Sequence, residues 1–492
     1  MRSLAVAYSS ESEQPVKKAR GGSLQLRDAK SKRRRRNKGM CLEDRPVLEP
    51  NAAGIDVGAR EMFVAVPPGR DENPVRVFAT FTEDLERLTD WLEQCGVTTV
   101  ALESTGVYWI PLFEILEQRG IRPCLVNARH MKNVPGRRTD WHECQWLQFL
   151  HSVGLLRAAF RPGQDICAVR TVLRHRNELV SAASQHVQHM HKALTQMNLQ
   201  IHHVINDITG VTGLVIVHAI LAGQRDGAEL AKLRDPHIKA DTETIRKSLE
   251  GNWRPEHLFT LGQSRDLYRI YQQQIVNCDL EIEKMLREFE PRTDPAEKPL
   301  PCDRKRNRAG RKRRKKNGHP HPEFALRSET YKLFGVDVTQ IPGIEENALP
   351  LFSEVGRDMS RWPTSAHFVS WLALCPDNDI SGGKLLWRAA RRVRNRAGHL
   401  FRLAAFSLHH NPTPLGNYLC RMKAKLGPKA ATMATAHKMA VIFYTMVKNQ
   451  VEYDETLWAA RDAQRQKRLE AKLKRQAKQL GYELVPIEPK AA

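Results

Sequence analysis

Residues 53–68 read AGIDVGAREMFVAVPP and decide the fold, because an apolar strand carrying Asp56 runs into a glycine turn and a second apolar strand. Residues 75–81 (VRVFATF) predict a third strand, and residues 97–105 (VTTVALEST) predict a fourth, buried one. Leucines at helical spacing, followed by glycine stops, predict helices between and after these strands. Three strands followed by alternating helix and strand indicate an α/β domain over residues 53–160.

The rest of the chain is predicted to be mostly helical. Long stretches with apolar residues at helical spacing pair either within the chain or as a coiled coil between chains, and the sequence leaves both open. Between Arg304 and Lys316, ten of thirteen residues are Lys or Arg, which favours contact with nucleic-acid backbone. We expect a disordered basic tail (1–50), the α/β domain (53–160), a helical or coiled-coil region (165–290), a basic linker loop (291–327), a second compact domain (330–450), and a charged helix and tail (451–492).

The overall charge points to a polyanionic partner. Among 492 residues, 78 are Lys or Arg and 55 are Asp or Glu, a net charge of +23. No run of about 18 apolar residues is present, so we expect no membrane-spanning helix. Nine scattered cysteines without a CxxC pair indicate neither a zinc cluster nor a disulfide framework, and they fit a reducing cytoplasm.

Four acidic residues stand where metal chemistry would need them. Asp56 lies in the first strand, Glu103 lies in the fourth, and Asp140 and Glu143 begin the helix of RTDWHE. The strand order is that of an RNase H-like sheet, whose first and fourth strands are neighbours and whose following helix packs across them. Singly, such acids usually serve turns or helix dipoles. Together they predict a site for one or two Mg²⁺ ions that cleaves phosphodiesters.

Ser381 is a second candidate, in the segment DISGGK. The two glycines after it allow close approach of backbone to a phosphate. From the residues alone, a surface turn followed by a solvated cationic face is the simpler interpretation. The predicted nucleic-acid contacts after this serine and in the linker loop are Lys384, Arg388, Arg391, Arg392, Arg394, Arg396, Arg311, Lys312, Arg313 and Arg314.

Taken in order, the motifs GIDVG, ALESTGVYW, NARHMKNVPGRRTDWHECQWLQFLHSVGLL and, later, IPGIEENALPLFSEVG and DISGGK resemble those of the DEDD-type insertion-sequence transposases. This is the IS110 family, including its eleven-eleven branch, whose members are relatives of the Piv DNA invertase. The resemblance covers about residues 53–160 and 338–410. It implies a RuvC-like domain in which Asp56, Glu103, Asp140 and Glu143 bind Mg²⁺, although the family has Asp where this chain has Glu143.

The resemblance also implies that Ser381 is a nucleophile forming a serine-linked DNA strand. It implies a homo-oligomer, dimer or tetramer, which acts on donor and target DNA under the guidance of a structured noncoding (bridge) RNA. From the same resemblance we expect the protein to be cytoplasmic and associated with the nucleoid of a bacterium. Two alternatives stay open: a metal-only junction-resolving nuclease that uses water as its nucleophile, and a non-catalytic RNA-binding protein.

Overall fold

Apolar residues in the first part of the chain build a five-stranded mixed sheet. We describe a computed structural model over residues 45–103, 106–127, 139–301, 324–382, 384–390 and 395–483. It divides into an N-terminal unit (residues 1–160) and a C-terminal unit (residues 161–492). The N-terminal unit contains strands β1 (Ala52–Val57), β2 (Glu61–Ala65), β3 (Val75–Ala79), β4 (Thr99–Glu103) and β5 (Arg122–Val126), and helices α1 (Thr82–Gln94), α2 (Trp109–Gln118) and α3 (Asp140–Ser152).

The sheet order is β3-β2-β1-β4-β5. The first three strands pair antiparallel, whereas β1, β4 and β5 run parallel. The prediction that the first and fourth strands are neighbours is therefore confirmed. Parallel neighbours need a crossover connection, and helices α1 and α2 supply it.

Alternation along the strands sorts side chains to the two faces of the sheet. On one face, Ile55, Val57 and Leu102 enter the main core with apolar residues of α1 and α2 such as Leu88 and Leu112. On the other face, two smaller clusters form with α3. Because Gly54 and Asp56 alternate with Ile55 and Val57, they face α3, and this orientation sets up the candidate site.

Two long helices dominate the start of the C-terminal unit and pack against each other within the chain. They are α4 (Gln164–Gln196) and α8 (Pro255–Glu288). Between them lie a 3₁₀ turn (Ile201–His203) and helices α5 (Val211–Leu221), α6 (Gly227–Lys232) and α7 (Thr242–Ser248), which share an apolar core with the long pair. Of the two pairings left open by the sequence, the one within the chain is present.

The remainder of the C-terminal unit is helical apart from one β-hairpin. Phe443 contacts the rings of Phe334, Phe368 and Phe401 in its core. The elements are α9 (Leu326–Phe334), 3₁₀ turns Val338–Gln340 and Glu345–Asn347, α10 (Ala348–Val355), α11 (Ser365–Trp371), β6 (Pro376–Ser381), β7 (Lys384–Ala390), α12 (Arg396–Phe406), α13 (Pro414–Leu426), α14 (Pro428–Asn449) and α15 (Thr456–Gln479). In the part of the chain that the structure describes, none of the helices combines the length and apolar character needed to cross a membrane.

Candidate functional site

Gly54 is the point at which helix α3 crosses the sheet. A Cβ on this residue would lie 2.2 Å from the backbone nitrogen of Gln148 and 2.4 Å from the backbone oxygen of Cys144. Only glycine therefore lets the helix backbone lie directly on β1. The Gln148 side chain donates a hydrogen bond of 3.1 Å to the carbonyl of Ala52, which further fixes the helix to this strand. This close packing brings the first turn of α3 beside the end of β1.

The first turn of α3 carries two of the predicted acids. Thr139 is the N-cap, and its hydroxyl accepts from the backbone N–H of His142, as expected for a helix start. Asp140 and Glu143 follow three residues apart on one face of the helix. Their position at the helix N-terminus also favours negative charge electrostatically.

Three of the four predicted acids come together. One carboxylate oxygen from each of Asp56, Asp140 and Glu143 lies within 4.8 Å of the other two. Asp140 is exposed, and Asp56 and Glu143 are half-buried, so the group opens to solvent. Two oxygens bound to one octahedral Mg²⁺ are at most about 4.2 Å apart, so small side-chain movements would let all three reach a single hard cation.

Glu103 lies outside this group of three. The parallel register pairs Ile55 with Leu102, so Asp56 and Glu103 are the next residues along adjacent strands. Ala101 packs on the α3 side of the sheet, and alternation gives Glu103 the same side. Its side chain is only 5% exposed, in contrast to the open group formed by the other acids.

A cavity of about 310 Å³ adjoins the acidic group, lined by Asp56 and Asp140 and by the turn that follows β1. Two of its other lining residues, Arg60 and Glu61, were not predicted as site residues. The only sequence feature that could have indicated them is their position shortly after the Gly58 turn, next to the strand that carries Asp56. Arg60 is exposed and lines the same cavity as Asp56 and Asp140, so it supplies a cation at the edge of the acidic group.

Cys144 lies beneath the acidic group and is fully buried. Burial, together with the nearby charges of Asp56 and Asp140, raises the pKa of its thiol to about 12. The thiol donates to the backbone oxygen of Trp141 at 3.1 Å. Cys144 is therefore a neutral packing residue and not a thiolate ligand at neutral pH.

Ser381 ends the first strand of a β-hairpin, where the sequence predicted a loop. Strands β6 and β7 pair antiparallel, and Ser381 lies across from Lys384. Gly382 has φ +57°, which suits the tight turns of two-residue hairpin loops. Pairing changes register between Asp379 and Ile380, which leaves Leu386 as an extra residue on β7. Ser381 and Lys384 are both exposed at the tip of the hairpin.

The predicted basic contacts are only partly described. Arg388 belongs to β7, and Arg396 is exposed as the first residue of α12. The other predicted basic contacts lie outside the described residues: Arg391, Arg392, Arg394, Arg311, Lys312, Arg313 and Arg314.

Comparison with known families gives two matches. A family model for transposases of the DEDD/IS110 type matches residues 53–199 and so contains all four predicted acids. A second model, described as Transposase IS116/IS110/IS902 family, matches residues 337–418 and contains Ser381. No curated protein matches the chain.

Proposed function

The chain belongs to the IS110-family transposases, and from this premise we propose that it recombines mobile-element DNA through a serine–phosphodiester intermediate. Transposases of this family cleave and rejoin DNA, so DNA is the substrate. The DEDD family also implies use of a divalent metal. The observation that carries the proposal is the gathering of the Asp56, Asp140 and Glu143 carboxylates within 4.8 Å of one another.

The N-terminal unit is proposed to be a RuvC-like domain that binds Mg²⁺. The order of its strands and the position of α3 support this assignment. Asp56, Asp140 and Glu143 would hold the ion, since three carboxylate oxygens form a hard donor set. Glu103 would complete the set from the neighbouring strand. When bound, such ions polarise a phosphate and stabilise charge on its attacking and leaving oxygens.

The C-terminal unit is proposed to supply the nucleophile. In this step the Ser381 oxygen forms a bond to phosphorus while the bridging P–O bond of the DNA strand breaks. The released strand end takes up the proton that the serine gives up. The serine ester conserves the energy of the broken bond, so a second DNA end can reverse the step and rejoin. Exposure of Ser381 at the hairpin tip, opposite Lys384, supports this role.

We test the intermediate with Ser381→Ala in the full chain. We expect strand exchange and the covalent protein–DNA adduct on denaturing gels to disappear, while DNA binding is retained. Ser181→Ala removes an exposed hydroxyl from α4 of the same unit and serves as the matched control with unchanged adduct. Cleavage that persists in Ser381→Ala without an adduct would instead support the metal-only nuclease.

The guide and the assembly are part of the same proposal. We propose that a structured noncoding RNA from the element selects donor and target DNA, and that a homo-oligomer carries out exchange. The net charge of +23 supports a large polyanionic partner. Sequencing of RNA that copurifies with the chain tests this. A discrete transcript from beside the chain's own gene is expected, and random cellular RNA would contradict the guided mechanism.

A further inference from the structure

Helix α15 (Thr456–Gln479) lies beyond both segments matched by family models, which end at residue 418. Its side chains are exposed from Ala463 onward wherever they are described, except for the half-buried Ala477. A helix of 24 residues is about 36 Å long. Since tertiary packing contributes little to the described residues from Ala463 onward, this part of the helix relies on its Ala, Lys, Arg, Gln, Glu and Leu content, all strong helix formers.

The charge of α15 is strongly one-sided. It contains eight basic and two acidic residues, a net charge of +6. Arg465, Arg468, Lys472 and Arg475 follow one another at spacings of three, four and three, and this spacing puts them along one helix face. A second row of cations is formed by Lys467, Lys474 and Lys478.

Few of these charges are neutralised by the protein. Glu470 pairs with Lys474 at 2.9 Å. Within the described residues, five cations of the helix have no acidic partner within 4 Å: Lys467, Arg468, Lys472, Arg475 and Lys478. A solvated helix needs no such excess of one sign, because alternating charges would stabilise it better through i,i+4 pairs.

A polyanion fits this surface better than a second copy of the chain. The exposed leucines Leu469, Leu473 and Leu480 form only a short apolar stripe. Pairing two copies of α15 along it would bring two helices of +6 together, and like charges at that range repel. Each Lys or Arg placed near a DNA phosphate instead releases a counterion.

We propose that α15 binds the phosphate backbone of double-stranded DNA. DNA is chosen because it is the substrate of this transposase family. The length of the helix also matches one turn of B-DNA, about 34–36 Å. Lys and Arg contacts to phosphate carry no sequence information, so the helix holds the duplex without selecting its bases. The proposal rests on the action of the chain on DNA and is independent of the serine intermediate.

The test replaces Lys467, Arg468, Lys472, Arg475 and Lys478 together by Gln in the full chain. Gln keeps the helix propensity, which circular dichroism checks. Affinity for a random-sequence duplex of about three turns is measured over a salt series. We expect the slope of log affinity against log salt to become shallower by about 2 to 4.5, given about 0.9 per lost phosphate contact. At 0.1 M salt we expect at least about a tenfold weaker complex.

The matched control removes five exposed cations from elsewhere in the same unit, through Lys232→Gln, Lys239→Gln, Lys247→Gln, Arg254→Gln and Lys284→Gln. Its slope should stay within about one unit of the parent. Equal changes in both variants, no change in the α15 variant, or a larger loss for an RNA duplex of equal length would each overturn the proposal. The same titrations in a Ser381→Ala background measure DNA binding without strand transfer, so failure of this proposal can be told apart from failure of the serine mechanism.

Discussion

At Gly54 the first strand has only a hydrogen as its side chain at the point where α3 crosses it. This position therefore sets how closely α3 packs on β1, and with it the distance between Asp56 and the two acids of the helix. A single methyl there meets backbone atoms of Gln148 and Cys144 at 2.2 and 2.4 Å, which no side-chain rotation can relieve. The helix as a whole must move, and Asp140 and Glu143 move with it. The positions of the three carboxylates therefore depend on Gly54, a residue that has no functional side chain.

Gly54→Ala should lower the free energy of unfolding by roughly 1–3 kcal/mol, the usual cost of overpacking. Urea denaturation followed by far-UV circular dichroism measures it. Gly262→Ala on α8 is the control. Its new methyl group would meet only Leu221, at an ordinary contact distance of 3.5 Å, so the free energy of unfolding should stay equal or rise slightly. A Gly54→Ala protein as stable as the parent would show that α3 does not lie against β1 as described.

His151, near the end of α3, gives the N-terminal unit a pH dependence. Its side chain is buried, and its Nε2 lies 2.9 Å from the Thr99 hydroxyl, which itself donates to the carbonyl of Arg122. Burial lowers the pKa of His151 below its ordinary value of 6.5. The unfolded chain therefore takes up this proton first as pH falls. The contribution of His151 to the free energy of unfolding is complete above pH 6.5. It declines below that pH until the folded state takes up the proton as well.

We expect the parent to lose more stability between pH 8 and pH 5.5 than His151→Gln does, because the amide does not titrate. Urea midpoints at both pH values measure the difference. Other histidines whose pKa burial lowers, such as the half-buried His437, leave a residual slope in both proteins. An identical decline in parent and variant would mean that His151 is not protected by burial.

The positions of the acids were predictable from the sequence because Asp56 and Glu103 lie in apolar strands and Asp140 and Glu143 begin a helix, elements whose type was clear. The order of strands then implied that Asp56, Asp140 and Glu143 meet. Whether Glu103 joins the same cation depends on side-chain positions that no sequence pattern encodes. Arg60 and Glu61 were missed for a similar reason, since residues after a turn have no periodicity to reveal which way they face.

Among the elements, α4 and α8 depend on a buried ion pair. The Arg176 guanidinium donates to both carboxylate oxygens of Asp279, through Nε to Oδ1 and through Nη2 to Oδ2 at 3.1 Å. Both side chains are at most 5% exposed. A pair this deeply desolvated is costly to break, although it adds little over a well-packed apolar replacement.

Asp279→Ala should therefore lower the free energy of unfolding by about 3–5 kcal/mol, because an uncompensated guanidinium stays buried. The double variant Arg176→Met with Asp279→Leu should recover most of that loss. Urea unfolding of the parent, single and double variants in a thermodynamic cycle measures the coupling. Additive losses in the double variant would show that the pair does not hold these helices together.

The sequence left open whether the long helices pair within the chain or between chains, but the helices themselves, with their strong apolar periodicity, were predictable. The hairpin β6–β7 was not. Its first strand, PDNDIS, contains turn-forming Asp and Asn and has no apolar alternation, so propensity indicated a loop. Cross-strand hydrogen bonding to β7 overrides that local preference, so the strand could not be predicted from its own residues alone.

For the whole molecule, a cation bound at the proposed acidic site would link metal binding to folding. Asp56 is separated from Asp140 and Glu143 by most of the N-terminal unit, so the unfolded chain has no such group. A divalent cation that binds only the folded state stabilises it by mass action.

We expect Mg²⁺ or Mn²⁺ to raise the free energy of unfolding of the full chain by about 2.7 kcal/mol when the ion is at 100 times its Kd, and so to raise the unfolding temperature. Asp140→Asn should abolish the increase, whereas Glu346→Gln, an acid in a 3₁₀ turn of the other unit, should not. Differential scanning calorimetry with and without the ion measures both. An undiminished increase in Asp140→Asn would place the cation elsewhere.

The extra residue on β7 has a geometric consequence for the proposed strand transfer. A bulge increases local twist and bends the strand that carries it. We therefore expect the unpaired Leu386 to turn the hairpin end bearing Ser381 relative to its base. Deleting Leu386 would keep the Ser381–Lys384 pairing and the reach of the hairpin, yet change the direction from which the hydroxyl would approach DNA in the proposed reaction.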